Sequence, residues 1–107
     1  MVINCVPTSL ERGKMLSLLH AQLLPGGHCF LMLPLLCLNN SKFITKKIFE
    51  NMLKQVGFDI VEEKETPKIY MCVLRKGERG DLSKYEKAEI INRQPKFRNT
   101  FAVSFAN

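Results

Sequence analysis

No two of the four cysteines, Cys5, Cys29, Cys37 and Cys72, form a C-x-x-C pair or stand at zinc-finger spacing with His20 or His28. The common cysteine–histidine metal modules are thereby excluded, and no metal site is expected. The chain also has no G-x-G: its only adjacent glycines, Gly26-Gly27, follow a helical pattern rather than a strand. A glycine-rich turn that cradles a nucleotide is therefore missing. The longest apolar stretch, Cys29 to Leu38, is interrupted by Pro34 and is far too short to cross a bilayer. There is no secretory signal, repeat or low-complexity tract, and three of the cysteines lie in apolar runs where a thiol behaves as a small buried hydrophobe. The chain reads as intracellular and reduced.

What is there is an ordinary globular composition. At 107 residues, 46% hydrophobic and 24% charged, the chain is one domain at most and long enough to bury a core. The net charge of +6 favours an anionic partner such as nucleic acid, with a merely solvated basic face as the alternative. From Arg75 onward eight Lys/Arg stand against four acids, so most of the excess lies in the last third.

Met1 to Val6 is apolar and partly β-branched and reads as a buried strand. Thr8-Ser9-Leu10-Glu11 fits a capping box and opens a helix with Leu16, Leu19 and Leu23 in its apolar stripe and Met15 and Leu18 beside them, all read as core. Pro25-Gly26-Gly27 ends it, and His20, near its C-terminus, reads as a packed histidine rather than a base. "HCFLMLPL" is a second strand. In "LNNS", Asn40 or Ser41 is the expected N-cap of a helix that puts Phe43, Ile44, Ile48, Phe49, Met52, Leu53 and Val56 on one side and Lys46, Lys47, Glu50 and Lys54 on the other, stopping at Gly57. "FDIVEEKET" and "KIYMCVLRK" predict a hairpin in which Ile69, Met71 and Val73 alternate with Tyr70, Cys72 and Leu74. Gly77 to Lys96 is polar, with a helical turn or two over Leu82 to Ile91, and Thr100 to Phe105 predicts a last short strand.

The order strand, helix, strand, helix, strand, strand contains two crossovers. It predicts an α/β fold, half of a doubly wound parallel sheet with a terminal antiparallel hairpin. Residues 1–76 form that half and residues 77–107 a basic C-terminal extension.

This order, with "LLPGG" leading into a strand and "VGF" leading from a helix into the hairpin, resembles the C-terminal half of a class I S-adenosylmethionine-dependent methyltransferase, a Rossmann-like fold. Through "VPTSLERGKML" and "LLPGGHCFLMLPL" it is similar to the fungal 25S ribosomal RNA adenine-N1 methyltransferase family, nucleolar enzymes with metazoan relatives described as S-adenosylmethionine sensors. The resemblance implies methylation of adenine N1 in large-subunit ribosomal RNA, a nuclear and nucleolar location, ribosomal RNA as partner, and S-adenosylmethionine as cofactor of the whole enzyme. The family's first strand, glycine turn and ribose-binding acid have no counterpart here. The chain thus reads as a C-terminal fragment with no cofactor site of its own and no expected activity alone.

The resemblance also implies the candidate site. Asn4 and Pro7 match the end of the fourth strand, where amino-group methyltransferases orient the target nitrogen along the sulfur–methyl axis. The paired proline and aromatic of that motif are absent from Asn-Cys-Val-Pro. Asn39, Asn40 and Ser41 follow the next strand on the same, carboxyl, edge, with helix capping as the alternative role. A non-catalytic binding module and an inactive remnant remain the competing functions. The unblunted apolar edge of "MVINCV" predicts that the isolated chain self-associates.

Overall fold

A computed structural model of the chain describes residues 2–105, the Asn4 side chain excepted. Thr8 opens the first helix as the capping box predicts: its Oγ1 accepts the Glu11 N–H at 3.1 Å, and α1 runs over Ser9–Gln22. Gly26, at φ 75°, turns the chain into β1, His28–Pro34. A single turn, α2, spans Leu36–Asn39, and α3 spans Lys46–Val56. Thr45 caps α3, its Oγ1 accepting the Ile48 N–H at 3.2 Å, so the cap expected of Asn40 or Ser41 falls four or five residues further on. Gly57 ends it at φ 117°, where its N–H reaches the carbonyls of Leu53 and Lys54. The predicted hairpin follows as β2, Phe58–Glu65, and β3, Ile69–Lys76.

The three strands form one sheet in the order β1-β3-β2, and both ladders are antiparallel. The α/β class holds, but the strands expected to pair in parallel, β1 and β2, are parallel only at a distance, because β3 lies between them. Side-chain chemistry explains the insertion. β3 carries the buried set Tyr70, Cys72 and Leu74, whereas β2 ends in Glu62, Glu63, Lys64 and Glu65, all exposed, which suit a sheet edge and would be costly at its centre.

The strand expected over Met1 to Val6 is corrected. Ile3–Cys5 is a 3-10 turn, closed by the Val6 N–H on the Ile3 carbonyl at 3.2 Å, and a parallel bridge between Val2 and Met32 is what remains of strand pairing; Met1 lies outside the described residues. The turn buries Ile3 completely while satisfying the Val6 amide locally. Met15 and Leu18 are corrected too: they are 41% and 52% exposed, because α1 faces the core through Gly13, Leu16 and His20.

His20 is the packed histidine its position predicts. Its ring meets Phe58 edge-on at 5.3 Å, and Nε2–H donates to the Gly77 carbonyl at 2.8 Å. Gly77 in turn donates to the Gly57 carbonyl at 2.6 Å, so the ends of α1, α3 and β3 meet at one junction.

Beyond β3, the helix expected over Leu82 to Ile91 is reduced to a 3-10 turn, Ser83–Tyr85. The predicted last strand joins no ladder of the sheet. Phe101–Phe105 instead runs as a buried strap across α1, with the Ser104 N–H on the Ser9 carbonyl at 3.1 Å and the Phe105 N–H on that of Tyr85 at 2.6 Å. Gly13 makes this crossing possible, because any Cβ there would collide with the Ser104 carbonyl. Phe101, Val103 and Phe105 complete a core shared with Leu16, Leu31, Leu33, Phe49, Leu53 and Tyr70.

Candidate functional site

The carboxyl ends of β1 and β2 lie on the same edge of the sheet, and the loops leaving that edge are where an open α/β sheet presents ligands. β1 ends at Pro34, which has no N–H to give and ends its strand opposite Ile69. The next amide, Leu35, donates to the Lys68 carbonyl at 2.8 Å, fastening α2 to the β2–β3 turn. The loop Asn39–Lys42 then leaves α2 along this edge.

The three residues predicted to face substrate here separate by burial. Asn39 is exposed, Asn40 half-buried and Ser41 fully buried. Ser41 Oγ–H donates to the Phe101 carbonyl at 2.6 Å and accepts the Phe43 N–H at 3.0 Å, so its hydroxyl is an internal brace. Asn40 Nδ2 donates to the Lys96 carbonyl at 3.3 Å, and its own carbonyl accepts the Asn99 N–H at 3.0 Å. The capping alternative is not realised, and the polar groups of the loop are taken up by the C-terminal segment. Asn99 Nδ2 lies 4.0 Å from the Cys37 sulfur; burial, more than this contact, moves the Cys37 thiol, and the net direction is up.

Of the other predicted pair, Asn4 lies in the 3-10 turn, its side chain outside the described residues, and Pro7 is exposed. Pro7, Cys5, Met15 and Leu18 line an open, largely apolar groove of about 460 Å³. The residue that connects the two clusters, Arg12, was not singled out by the sequence. Its Nε–H donates to the Val6 carbonyl at 2.9 Å, its Nη1–H to the Ala102 carbonyl at 2.9 Å, and its guanidinium sits 4.8 Å from the Phe101 ring centre. Val6 precedes Pro7, and Phe101 is the acceptor of Ser41, so Arg12 ties the Asn4–Pro7 turn to the Asn39–Ser41 loop through the strap. Its position four residues after the Thr8 cap and next to Gly13 is the sequence signal, legible only once the strap is known to pass there.

The edge is basic. Lys68, Arg93, Lys96 and Arg98 are exposed around it, whereas the ion pairs formed among the described residues are Lys46–Glu65 at 2.7 Å and Arg75–Asp59 at 3.3 Å. On the α3 side, Tyr70 O–H donates to Glu63 at 2.5 Å; burial first, and then this bond, hold the phenol far above its ordinary range. The bond is structural, since Tyr70 is fully buried against Phe49.

The fold and its loops do not by themselves name a family; the sequence comparisons do. The chain matches the 25S rRNA (adenine(2142)-N(1))-methyltransferase family, Bmt2, over residues 1–103, and it belongs to that family. A curated relative, the 25S rRNA (adenine(2142)-N(1))-methyltransferase of Saccharomyces cerevisiae, is 29% identical over 73 residues. That match covers 68% of this chain and 22% of the relative, so the chain spans about a fifth of the length of the curated relative it matches.

Proposed function

We propose that this chain serves methyl transfer from S-adenosylmethionine to adenine N1 of large-subunit ribosomal RNA, in the nucleus and nucleolus, as the target-side part of a larger α/β enzyme. Family membership over residues 1–103 carries the reading. The sheet supports its architectural half. β1 and β2 are mutually parallel, β3 is the antiparallel addition of a terminal hairpin, and the Val2–Met32 bridge adds a parallel contact on the edge of β1 away from β3. This is the arrangement that the end of a doubly wound sheet requires. The sheet face away from the helices also supports it: Phe30 is 45% exposed and Met32, Met71 and Val73 are half-buried, an apolar surface suited to covering by further helices.

The described residues do not fit S-adenosylmethionine itself. The glycine amides that would have to cradle it are spent inside the fold: Gly26 on Lys76, Gly27 on Leu24, Gly57 on Leu53 and Lys54, Gly77 on Gly57, and Gly80 on Gln55. Holding the cofactor belongs to other parts of the enzyme, and what this chain contributes is orientation of the target base. Reaction at a ring nitrogen demands that its lone pair be aimed along the bond being broken, and alignment of that kind is what a positioned side chain supplies. Asn4, at the turn that Arg12 anchors, is the residue assigned that work, with Pro7 fixing the loop and Asn39 the exposed polar group of the neighbouring loop.

The test is a chimera in which the part of the yeast relative outside its match is joined to this chain, assayed with labelled S-adenosylmethionine and 25S RNA. The chimera transfers methyl groups, Asn4→Ala lowers its turnover without weakening cofactor binding, and the 107-residue chain alone neither transfers nor binds the cofactor at micromolar concentration. An inert chimera beside an active yeast parent would refute the reading. A second reading, an interaction module without chemistry, is favoured by the commitment of Asn40 to Lys96 and Asn99 and of Ser41 to Phe101; methyl transfer by the chimera decides against it.

A further inference from the structure

The basic residues of the C-terminal segment are not spread along a loose tail. We propose that the turn Arg93–Arg98 is a preformed contact for the phosphate backbone of RNA at the ligand edge, a proposal that rests on the methyltransferase reading. After Glu89 the chain contains no further acid, and Arg93, Lys96 and Arg98 are its three remaining cations. All three are exposed, and none takes part in the ion pairs formed among the described residues.

The turn has a definite shape. Pro95 occupies its second position, where a fixed φ favours the bend, and the Phe97 N–H closes it on the Gln94 carbonyl at 3.0 Å. Both flanks are fastened to the loop after α2. Asn92 Nδ2 donates to the Ser41 carbonyl at 3.1 Å, the Asn99 N–H to Asn40 at 3.0 Å, and the Lys42 N–H back to Asn99 at 2.9 Å. Within the turn, Arg98 Nε–H donates to the Pro95 carbonyl at 3.2 Å, and the Lys96 ammonium stands 5.1 Å from the Phe97 ring centre. Lys96 and Arg98 are therefore held before a ligand arrives, Arg93 is placed by the backbone of the fastened flank, and less ordering remains to be done on binding. Their place beside Asn39–Lys42 puts them where RNA must pass to bring a base to this edge. Backbone phosphates, which position a nucleic acid without reading its sequence, are the groups that three unpaired cations on a rigid turn fit.

The test compares the full chain with two triple variants of equal charge change, using a fluorescent single-stranded RNA of 20 nucleotides. One variant is Arg93→Gln, Lys96→Gln, Arg98→Gln; the other is Arg79→Gln, Lys84→Gln, Lys87→Gln, exposed cations outside the turn. Losing three phosphate contacts to a single strand lowers the slope of log K against log salt by about 2, so between 50 and 200 mM salt the wild type loses roughly twentyfold more affinity than the first variant. The second variant keeps the wild-type slope to within about one contact. Equal loss in both variants, or no change in the first, overturns the proposal. Should the first variant misfold by circular dichroism, crosslinking of 4-thiouridine RNA to the wild-type chain decides instead: adducts at residues 92–99 support the turn, and adducts only elsewhere overturn it. An inert chimera with turn-dependent RNA binding would refute the methyltransferase reading alone, and an active chimera with turn-independent binding would refute this proposal alone.

Discussion

On β1 and β3 the two faces of the sheet carry similar apolar residues in different surroundings, while β2 puts Asp59, Glu62 and Lys64 on the open side. Under α1 and α3, Leu31, Leu33, Tyr70, Cys72 and Leu74 are all at most 2% exposed. On the other face Phe30 and Ile69 are 45% and 36% exposed, with Met32, Met71 and Val73 between. A sheet that met water on its second face would alternate apolar with polar residues; here β1 and β3 are apolar on both sides, the composition of strands covered twice. The second face is thus as much a product of the sequence as the core, and its purpose lies in what packs on it.

The largest difference between the faces is in the core. Leu31→Ala removes a fully buried side chain and costs about 2–5 kcal/mol, whereas Phe30→Ser, one residue away on the half-covered open face, costs less. Urea denaturation of the two variants reads the difference, and equal losses would mean that the faces are equally buried.

Gly13→Ala is next. The added methyl meets the Ser104 carbonyl, so the strap must lift or α1 must shift, at about 1–3 kcal/mol; faster proteolysis after Phe97 would locate the damage in the strap. The caps follow, Thr8→Ala and Thr45→Ala each costing about 1 kcal/mol in thermal denaturation.

An effect confined to alkaline pH comes from a buried thiol. Burial pushes the Cys72 thiol from its ordinary 9.0 up to about 11, so the stability it contributes is complete below pH 9 and is lost as pH rises toward 11. Cys72→Val flattens that alkaline decline, and an unchanged slope would show that Cys72 is not its source.

What the sequence made legible follows the range of the interactions. The cap at Thr8, the stop at Gly57, the hairpin and the buried alternation of Tyr70, Cys72 and Leu74 rest on contacts within a few residues or on period-two patterning, and all are present. The misjudged features depend on distant partners. Met15 and Leu18 fit a helical stripe, but the strap takes the neighbouring side of α1 through Gly13. Ser41 has the chemistry of a cap and serves instead as a brace to Phe101, sixty residues away. Nothing local marks Arg12, whose two carbonyl acceptors, Val6 and Ala102, come from opposite ends of the chain. "MVINCV" has strand composition, yet strand pairing needs neighbours, and a 3-10 turn supplies locally what a ladder would have supplied.

On the proposed reading, the open face and the adjoining β1 edge are interfaces for more polypeptide. Size-exclusion chromatography with light scattering, on the 107-residue chain at low micromolar concentration, tests it most directly. The expected result is species larger than a monomer, and a return to monomer on Phe30→Lys with Met71→Lys, which charge that face without touching the core under α1 and α3. A wild-type monomer with a cooperative thermal transition would contradict it.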